Sequence, residues 1–174
     1  MTPPDAAIAA AQASARAWGV PASVSLAQWA LESGWGQYEA GCRNAPPVVS
    51  HNPFGIKAAP GQPSVMILTH EFEAGRMVEV RAAFRIFPSL AAAFDAHARL
   101  IATGPVYAPA MRERQDPDAF ARALQGRYAT DPHYAGKLLA LMHGPSDLIR
   151  FDLPPNGPSA PAATQAVSGL RDAA

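Results

Sequence analysis

A single cysteine, Cys42, stands in the chain, so neither a disulfide framework nor a thiolate zinc site can be built from it. Excess charge of one sign is also lacking, because Lys+Arg 14 balance Asp+Glu 14. Without a net basic field, nucleic-acid binding is not expected as the main business of the chain. No run reaches the ~18 apolar residues that a membrane span needs. The N-terminus has no basic leader region: its first cation is Arg16, after Asp5 and an alanine-rich stretch that also carries Gln12 and Ser14. A standard secretory signal is therefore not expected, and synthesis in the cytoplasm is.

What remains is a chain of 174 residues, 18.3 kDa, of which 49% are hydrophobic. Thirty-eight of those are alanines, which bury little area each, so the core must rest on the 14 aromatics and the Leu/Ile/Val/Met set. That supports one core and one domain, expected over residues 1–150. Residues 151–174 are rich in Pro, Ala, Ser and Gly without period and read as a flexible tail.

Periodicity predicts a mostly helical domain with one inserted hairpin. Thr2-Pro3-Pro4 reads as a cap and first turn for a helix to Trp18, stopped by Gly19. Pro21 opens a second helix to about Ser33, with Gly34 in the left-handed stop position. Residues 36–63 hold five prolines and no period, a long structured loop. From Ser64 to Phe87 the period changes to two on either side of Glu73-Ala74-Gly75, a β-hairpin turning near Gly75. Ser89 then caps a helix with Phe94, His97 and Ile101 on one face. Asp116-Pro117 and Asp131-Pro132 each read as a cap and first-turn pair opening a further helix.

Several chemistries fail on their own terms. His70-Glu71 resembles the start of a zincin motif, but Ala74 stands where the second histidine is required, and the segment reads as strand. No catalytic metal and no cofactor are expected. No G-x-S-x-G occurs, and Cys42 in a loop beside Arg43 reads as incidental. Carboxylates are the better lead. Glu32 falls in the last turn of the second helix, where the negative end of the macrodipole and the neighbouring Trp29 and Trp35 both disfavour its ionised form. Such a glutamate suits general acid work near neutral pH. A solvated helix-end glutamate is the alternative. Glu71 and Glu73 lie near the hairpin tip, either overhanging a groove or as exposed turn charges. Tyr128 sits in the linker before a capped helix, where a phenol either packs or faces a cleft.

At these positions the sequence resembles a known family. Leu31-Glu32-Ser33-Gly34-Trp35-Gly36, Asn52-Pro53-Phe54-Gly55-Ile56-Lys57, Thr69-His70-Glu71-Phe72-Glu73-Ala74-Gly75 and Tyr128-Ala129-Thr130-Asp131-Pro132 follow in the order seen in glucosaminidase domains of glycoside hydrolase family 73. The resemblance runs from about residue 6 to 143. It implies a lysozyme-like α+β fold with a groove between a helical lobe and the hairpin, and hydrolysis of the β-1,4 bond after N-acetylglucosamine in peptidoglycan. It implies Glu32 as general acid, Glu71 as second carboxylate and Tyr128 as active-site tyrosine. Asn52, Phe54 and Lys57 match the loop motif that shapes the groove; Pro53 departs from the aliphatic residue common there.

Trp35, Phe54, Phe72 and Tyr134 are the aromatics available to sugar faces, with Tyr134 also on an apolar stripe that fits a core position. Glu73 completes the expected substrate contacts. The expected partner is peptidoglycan glycan, met by a monomer that leaves the cytoplasm by release or a non-classical route, as a phage lysis enzyme or secreted wall-remodelling enzyme would. Alternatives are a non-catalytic wall-binding module, and a muramidase or lytic transglycosylase on the same scaffold.

Overall fold

The computed structural model describes residues 1–73 and 76–152. Residues 74–75 and 153–174, where the sequence predicts a turn and a tail, lie outside the described residues, as do the side chains of His70, Glu71, Phe72, Glu73 and Met77. The order of elements is α1 (Asp5–Trp18), α2 (Ala22–Ser33), β1 (Ser64–Glu73), β2 (Arg76–Arg85), α3 (Leu90–Thr103), a 3-10 turn (Pro105–Tyr107), α4 (Ala108–Arg112), α5 (Pro117–Ala123), α6 (Tyr134–His143) and a second 3-10 turn (Leu148–Phe151). This is the mostly helical, lysozyme-like α+β arrangement with an inserted hairpin that the sequence predicts. No helix among the described residues is long and apolar enough to cross a membrane.

Helix α2 is the axis of the helical lobe. Its residues from Ala22 to Ala30 are all buried, and α1, α5, α6 and the terminal 3-10 turn pack around it. A helix apolar or small on every side has to be central, because no face of it is suited to water. The alanines have a geometric use: α1 buries Ala7, Ala10, Ala11 and Ser14 and lies against α3, which buries Ala93 and Ala98. Side chains that small let two helix axes approach closely. The volume is filled elsewhere, by Leu26, Phe87, Phe94, Ile101, Phe120, Leu124, Leu138, Met142 and Leu148.

Local signals set most boundaries. Ser89 Oγ accepts from the Ala92 amide at the start of α3, and Asp116 accepts from Asp118 and Ala119 at the start of α5. Two expectations need correction. Pro4, not Thr2, occupies the N-cap of α1, with no side-chain cap. Asp131 does not open α6: its Oδ1 accepts from His133 N at 2.8 Å in a turn, and the helix begins at Tyr134. The expected tail also begins too early. Asp152 accepts from Ser23 N at 2.8 Å and Ser23 Oγ at 2.6 Å, and Gln12 Nε2 donates to Phe151 O at 3.1 Å. Residues 151 and 152 thus close the N-terminus of α2 and belong to the fold.

Strands β1 and β2 form a two-stranded antiparallel sheet with register running from Ser64↔Arg85 to Glu73↔Arg76. Val65 is buried while Met66 and Leu68 are about half exposed, the expected alternation. An isolated hairpin is marginal in water, and the long loop holds this one at its base. Arg85 N donates to Ile56 O, Ala58 N to Ala83 O and Phe87 N to Ser50 O.

Candidate active site

The segment 31–36 makes a sharp reversal at the end of α2. Ser33 Oγ donates to Trp29 O at 2.5 Å and accepts from Gly36 N at 2.8 Å, closing the last turn on itself. Gly34, Trp35 and Gly36 all take positive φ, 56°, 63° and 82°. Gly34 is the left-handed cap that glycine fills without strain. At Gly36 a Cβ would stand 2.8 Å from Trp29 Cζ2, so the chain can pass that indole only without a side chain. The reversal leaves Glu32 on the rim of the helix end and sends the chain through Tyr38 and Glu39.

Glu32 opens into a cleft of about 200 Å³ that it lines with Tyr38, Glu39, Ala40, Asn52, Pro53, Gly55, Ile67 and Phe84. One wall is thus the helical lobe with the loop, and the other is the inner face of the hairpin. A second hollow of about 250 Å³, lined by Trp29, Trp35, Gly36, His51 and Leu90 among others, shares Tyr38, Glu39 and Pro53 with the first. Trp35 lines this neighbouring hollow, edge-on to Trp29 with ring centroids 6.1 Å apart.

The carboxylate of Glu32 reaches solvent, yet protein crowds it from the lobe side. That desolvation raises its pKa above the ordinary glutamate value, against a smaller lowering by a hydrogen bond from Tyr134. Tyr134 Oη donates to Glu32 Oε1 at 3.5 Å and itself accepts from Gln28 Nε2 at 2.9 Å. Of the two roles that the sequence offered for Tyr134, sugar face or core, the structure gives the core position, and it adds a contact that the sequence did not offer. The ring is core, 2% exposed, and its hydroxyl is the polar tip that touches the acid.

Tyr128 stands one layer back. Its ring stacks on Tyr134 at 5.7 Å and 16°, and it also meets His97 and Tyr107. Among the described residues no hydrogen bond joins Tyr128 to Glu32. Burial first, then the neighbouring Tyr134 and Glu32, push its pKa well up and keep the phenol protonated. Behind it, His97 is fully buried, stacked on Phe54 at 4.1 Å, and held neutral with a pKa of about 3 by that burial.

The loop motif is structural as far as its hydrogen bonds go. Asn52 is buried, its Nδ2 donating to Ile56 O and Arg85 O, both at 2.9 Å, while its Oδ1 accepts from Ile56 N at 3.0 Å. One side chain thus closes the loop and ties it to β2 at the edge of the cleft. Phe54 is a correction: it is only 7% exposed, with His97 stacked on its ring and Phe94 edge-on to it, so the ring is packed in the interior and not offered to a sugar. Lys57 is exposed and bridges to Phe84 through the backbone.

Glu71 takes the register position opposite Val78, four residues along β1 from Ile67. Its side chain, with those of Phe72 and Glu73, lies outside the described residues. Sequence reasoning missed Tyr38, Glu39, Ile67 and Phe84 as cleft residues. Tyr38 carried a signal, an aromatic in a Gly/Pro-rich loop with no periodic face to bury it. Among the described residues no cluster of His, Cys, Asp and Glu could hold a metal ion.

The profile of the family described as mannosyl-glycoprotein endo-β-N-acetylglucosaminidase, the glucosaminidase domain, matches residues 8–146. The chain belongs to this family. It is 42% identical over 131 residues to the peptidoglycan hydrolase FlgJ of Escherichia coli K12, covering 74% of this chain and 41% of that one. A probable N-acetylmuramidase of Lactococcus lactis subsp. cremoris MG1363 is 37% identical over 153 residues, covering 83% of this chain and 33% of the other. The chain therefore spans less than half the length of these relatives. Against solved structures, the catalytic domain of the autolysin Auto from Listeria monocytogenes superposes with a TM-score of 0.73 at 30% identity, covering 87% of this chain and 90% of that one. The family match thus spans the hairpin and the helical lobe through α6.

Proposed function

We propose that this glucosaminidase-family chain hydrolyses the glycan of peptidoglycan at the β-1,4 bond following N-acetylglucosamine, with Glu32 as general acid. The observation that carries the reading is Glu32 itself: a carboxyl at the mouth of the cleft, crowded enough to stay protonated above the ordinary glutamate range. Protonation of the glycosidic oxygen by Glu32 breaks the bond to the leaving sugar and leaves an oxocarbenium-like centre on the other. Glu71 is the second carboxylate in this reading. At about 6.5–9.5 Å from Glu32 it would activate a water and invert the centre, and at about 5–5.5 Å it would attack and retain it. Tyr134, through its bond to Glu32, takes the direct supporting role that the resemblance implied for Tyr128, and Tyr128 acts by stacking on Tyr134.

Mass spectrometry of purified peptidoglycan digested by the protein and reduced with borohydride tests the bond choice. Reduced N-acetylglucosamine ends are the expected result. Reduced muramic ends would make it a muramidase, a reading favoured by the likeness to the Lactococcus lactis proteins. Anhydro ends would make it a transglycosylase, and binding without cleavage would make it a wall-binding module.

A further inference from the structure

Gln28 sits in the middle of α2, one turn before Glu32, with its side chain fully buried. A buried amide needs partners on both its nitrogen and its oxygen, and here only the nitrogen has one. Its Nε2 donates to Tyr134 Oη at 2.9 Å, whereas its Oε1 is buried with no partner. Leaving a carbonyl oxygen unsatisfied in a core is unfavourable, and an apolar side chain of the same length would avoid it. The fold gains no evident packing advantage from the amide, so its one hydrogen bond is where to look for a use.

A phenol hydroxyl has one proton to give. With Gln28 donating into the Tyr134 oxygen, that proton is left for another acceptor, and Glu32 Oε1 is in reach at 3.5 Å. If the amide were turned over, Oε1 would take the Tyr134 proton, and the hydroxyl would have nothing to donate to Glu32. The orientation present also occupies an acceptor site on the hydroxyl, so the carboxyl proton of Glu32 is less readily drawn inward and stays available to the cleft. The Tyr134 ring cannot turn away, being stacked on Tyr128 at 5.7 Å. We propose that Gln28 is a positioning residue of the general acid, fixing through the Tyr134 hydroxyl which way the hydrogen bond runs and thereby where the Glu32 proton points. The inference rests on Glu32 being the acid.

Among the described residues, the titratable groups that face Glu32 are Tyr134 from α6, Tyr128 from the segment before it, and Glu39, which lines the same cleft. Tyr107 lies behind the two tyrosines. The test compares the wild type with Gln28→Met, Tyr134→Phe and the double variant on purified peptidoglycan, reading kcat, KM and the pH profile. Methionine keeps the length, removes the donor and removes the unpartnered carbonyl, so the unfolding midpoint should hold or rise. Expected is a fall in kcat of about three- to tenfold, the scale of one hydrogen bond, with KM little changed. The alkaline limb should move to higher pH, because a weaker hydrogen bond to the carboxylate favours its protonated form.

The double variant should lose no more than Tyr134→Phe alone, since Gln28 acts through that hydroxyl. Additive losses, or a wild-type kcat and alkaline limb in folded Gln28→Met, overturn the proposal. Should methionine fail to fold, the isosteric Gln28→Glu offers the same donor only while its carboxyl is protonated. It should retain kcat at the acid end and lose it as that group ionises; a flat ratio to wild type across pH would count against the role. A wild type that cleaves while Glu32→Gln does not, with Gln28→Met unchanged, removes Gln28 and leaves the acid assignment standing. A wild type that cleaves nothing removes both.

Discussion

The two walls of the cleft are built on different physical terms. The helical wall presents Glu32 from a helix buried almost throughout, with Gln28, Tyr134, Tyr128 and His97 layered behind it. The hairpin wall is a two-stranded sheet with one face toward the cleft and Met66 and Leu68 half exposed on the other. It is held mainly where the loop meets its base. An acid needs a fixed environment, because its pKa is set by what surrounds it, and the helical wall supplies that. The hairpin, in which Val65 is the one buried side chain among those described, has a low cost of local opening.

Replacing Glu32 gives the largest expected effect and touches the helical wall only at its surface. Glu32→Gln is isosteric and removes the transferable proton, so kcat should fall by at least about 10²–10⁴-fold, the range for loss of a general acid. Circular dichroism and the unfolding midpoint should be unchanged. On the proposed reading Glu32 must be protonated to act, so activity should be present below its pKa and lost as pH rises through it. Because burial raises that pKa, the alkaline limb should lie above the ordinary glutamate range. A limb at or below that range would falsify the assignment.

Core truncation comes next and measures how deeply the helical wall is anchored. Phe120 and Leu138 are fully buried beside α2. Phe120→Ala should cost about 3–5 kcal/mol and Leu138→Ala about 2–5 kcal/mol of unfolding free energy in denaturant titration. Costs under about 1 kcal/mol would mean that the lobe relaxes easily, and the contrast with the hairpin would be lost.

The sequence made the helical wall legible in outline and its chemistry only in part. Helical spacing placed Phe94, His97 and Ile101 on one buried face, and Gly34 and Ser89 marked a stop and a start that the structure keeps. Asp131-Pro132 misled because an aspartate bonding the amide two residues on makes either a cap or a free-standing turn, and nothing local distinguishes them. Tyr134 was readable as core from its stripe. Its hydroxyl partners were not, because Gln28 and Glu32 lie 106 and 102 residues away in the chain. Spacing likewise cannot tell Tyr128 from Tyr134 as the phenol that reaches the acid. Phe54 was legible as a motif residue, but its burial between Phe94 and His97 is a tertiary fact.

Asn52 joins the two walls, so its removal should affect one more than the other. Asn52→Ala deletes the bonds to Ile56 and Arg85, at about 1–3 kcal/mol for backbone groups left unpaired. Hydrogen exchange should show the amides of Ala58 and Arg85, which donate to Ala83 O and Ile56 O across the junction of loop and β2, opening faster while those of α2 and α6 keep their protection relative to global unfolding. Equal loss of protection in α2 would mean that lobe and hairpin unfold as one unit, and the comparison would fail.

The smallest effect sharpens the comparison most. Leu68 is 55% exposed on the face of β1 opposite to Ile67, which lines the cleft. Threonine is β-branched and suits a strand, and the site is exposed, so Leu68→Thr should change stability by no more than about 0.5 kcal/mol. If the hairpin serves only through its inner face, kcat and KM on peptidoglycan should also stay at wild-type values. Ile67→Thr on the inner face should instead raise KM while leaving the Glu32 alkaline limb in place. That divergence between neighbouring residues is what an acid set by the helical wall, and a substrate contact set by the hairpin, require. A shift of the limb in Ile67→Thr would show that the hairpin also controls the environment of Glu32.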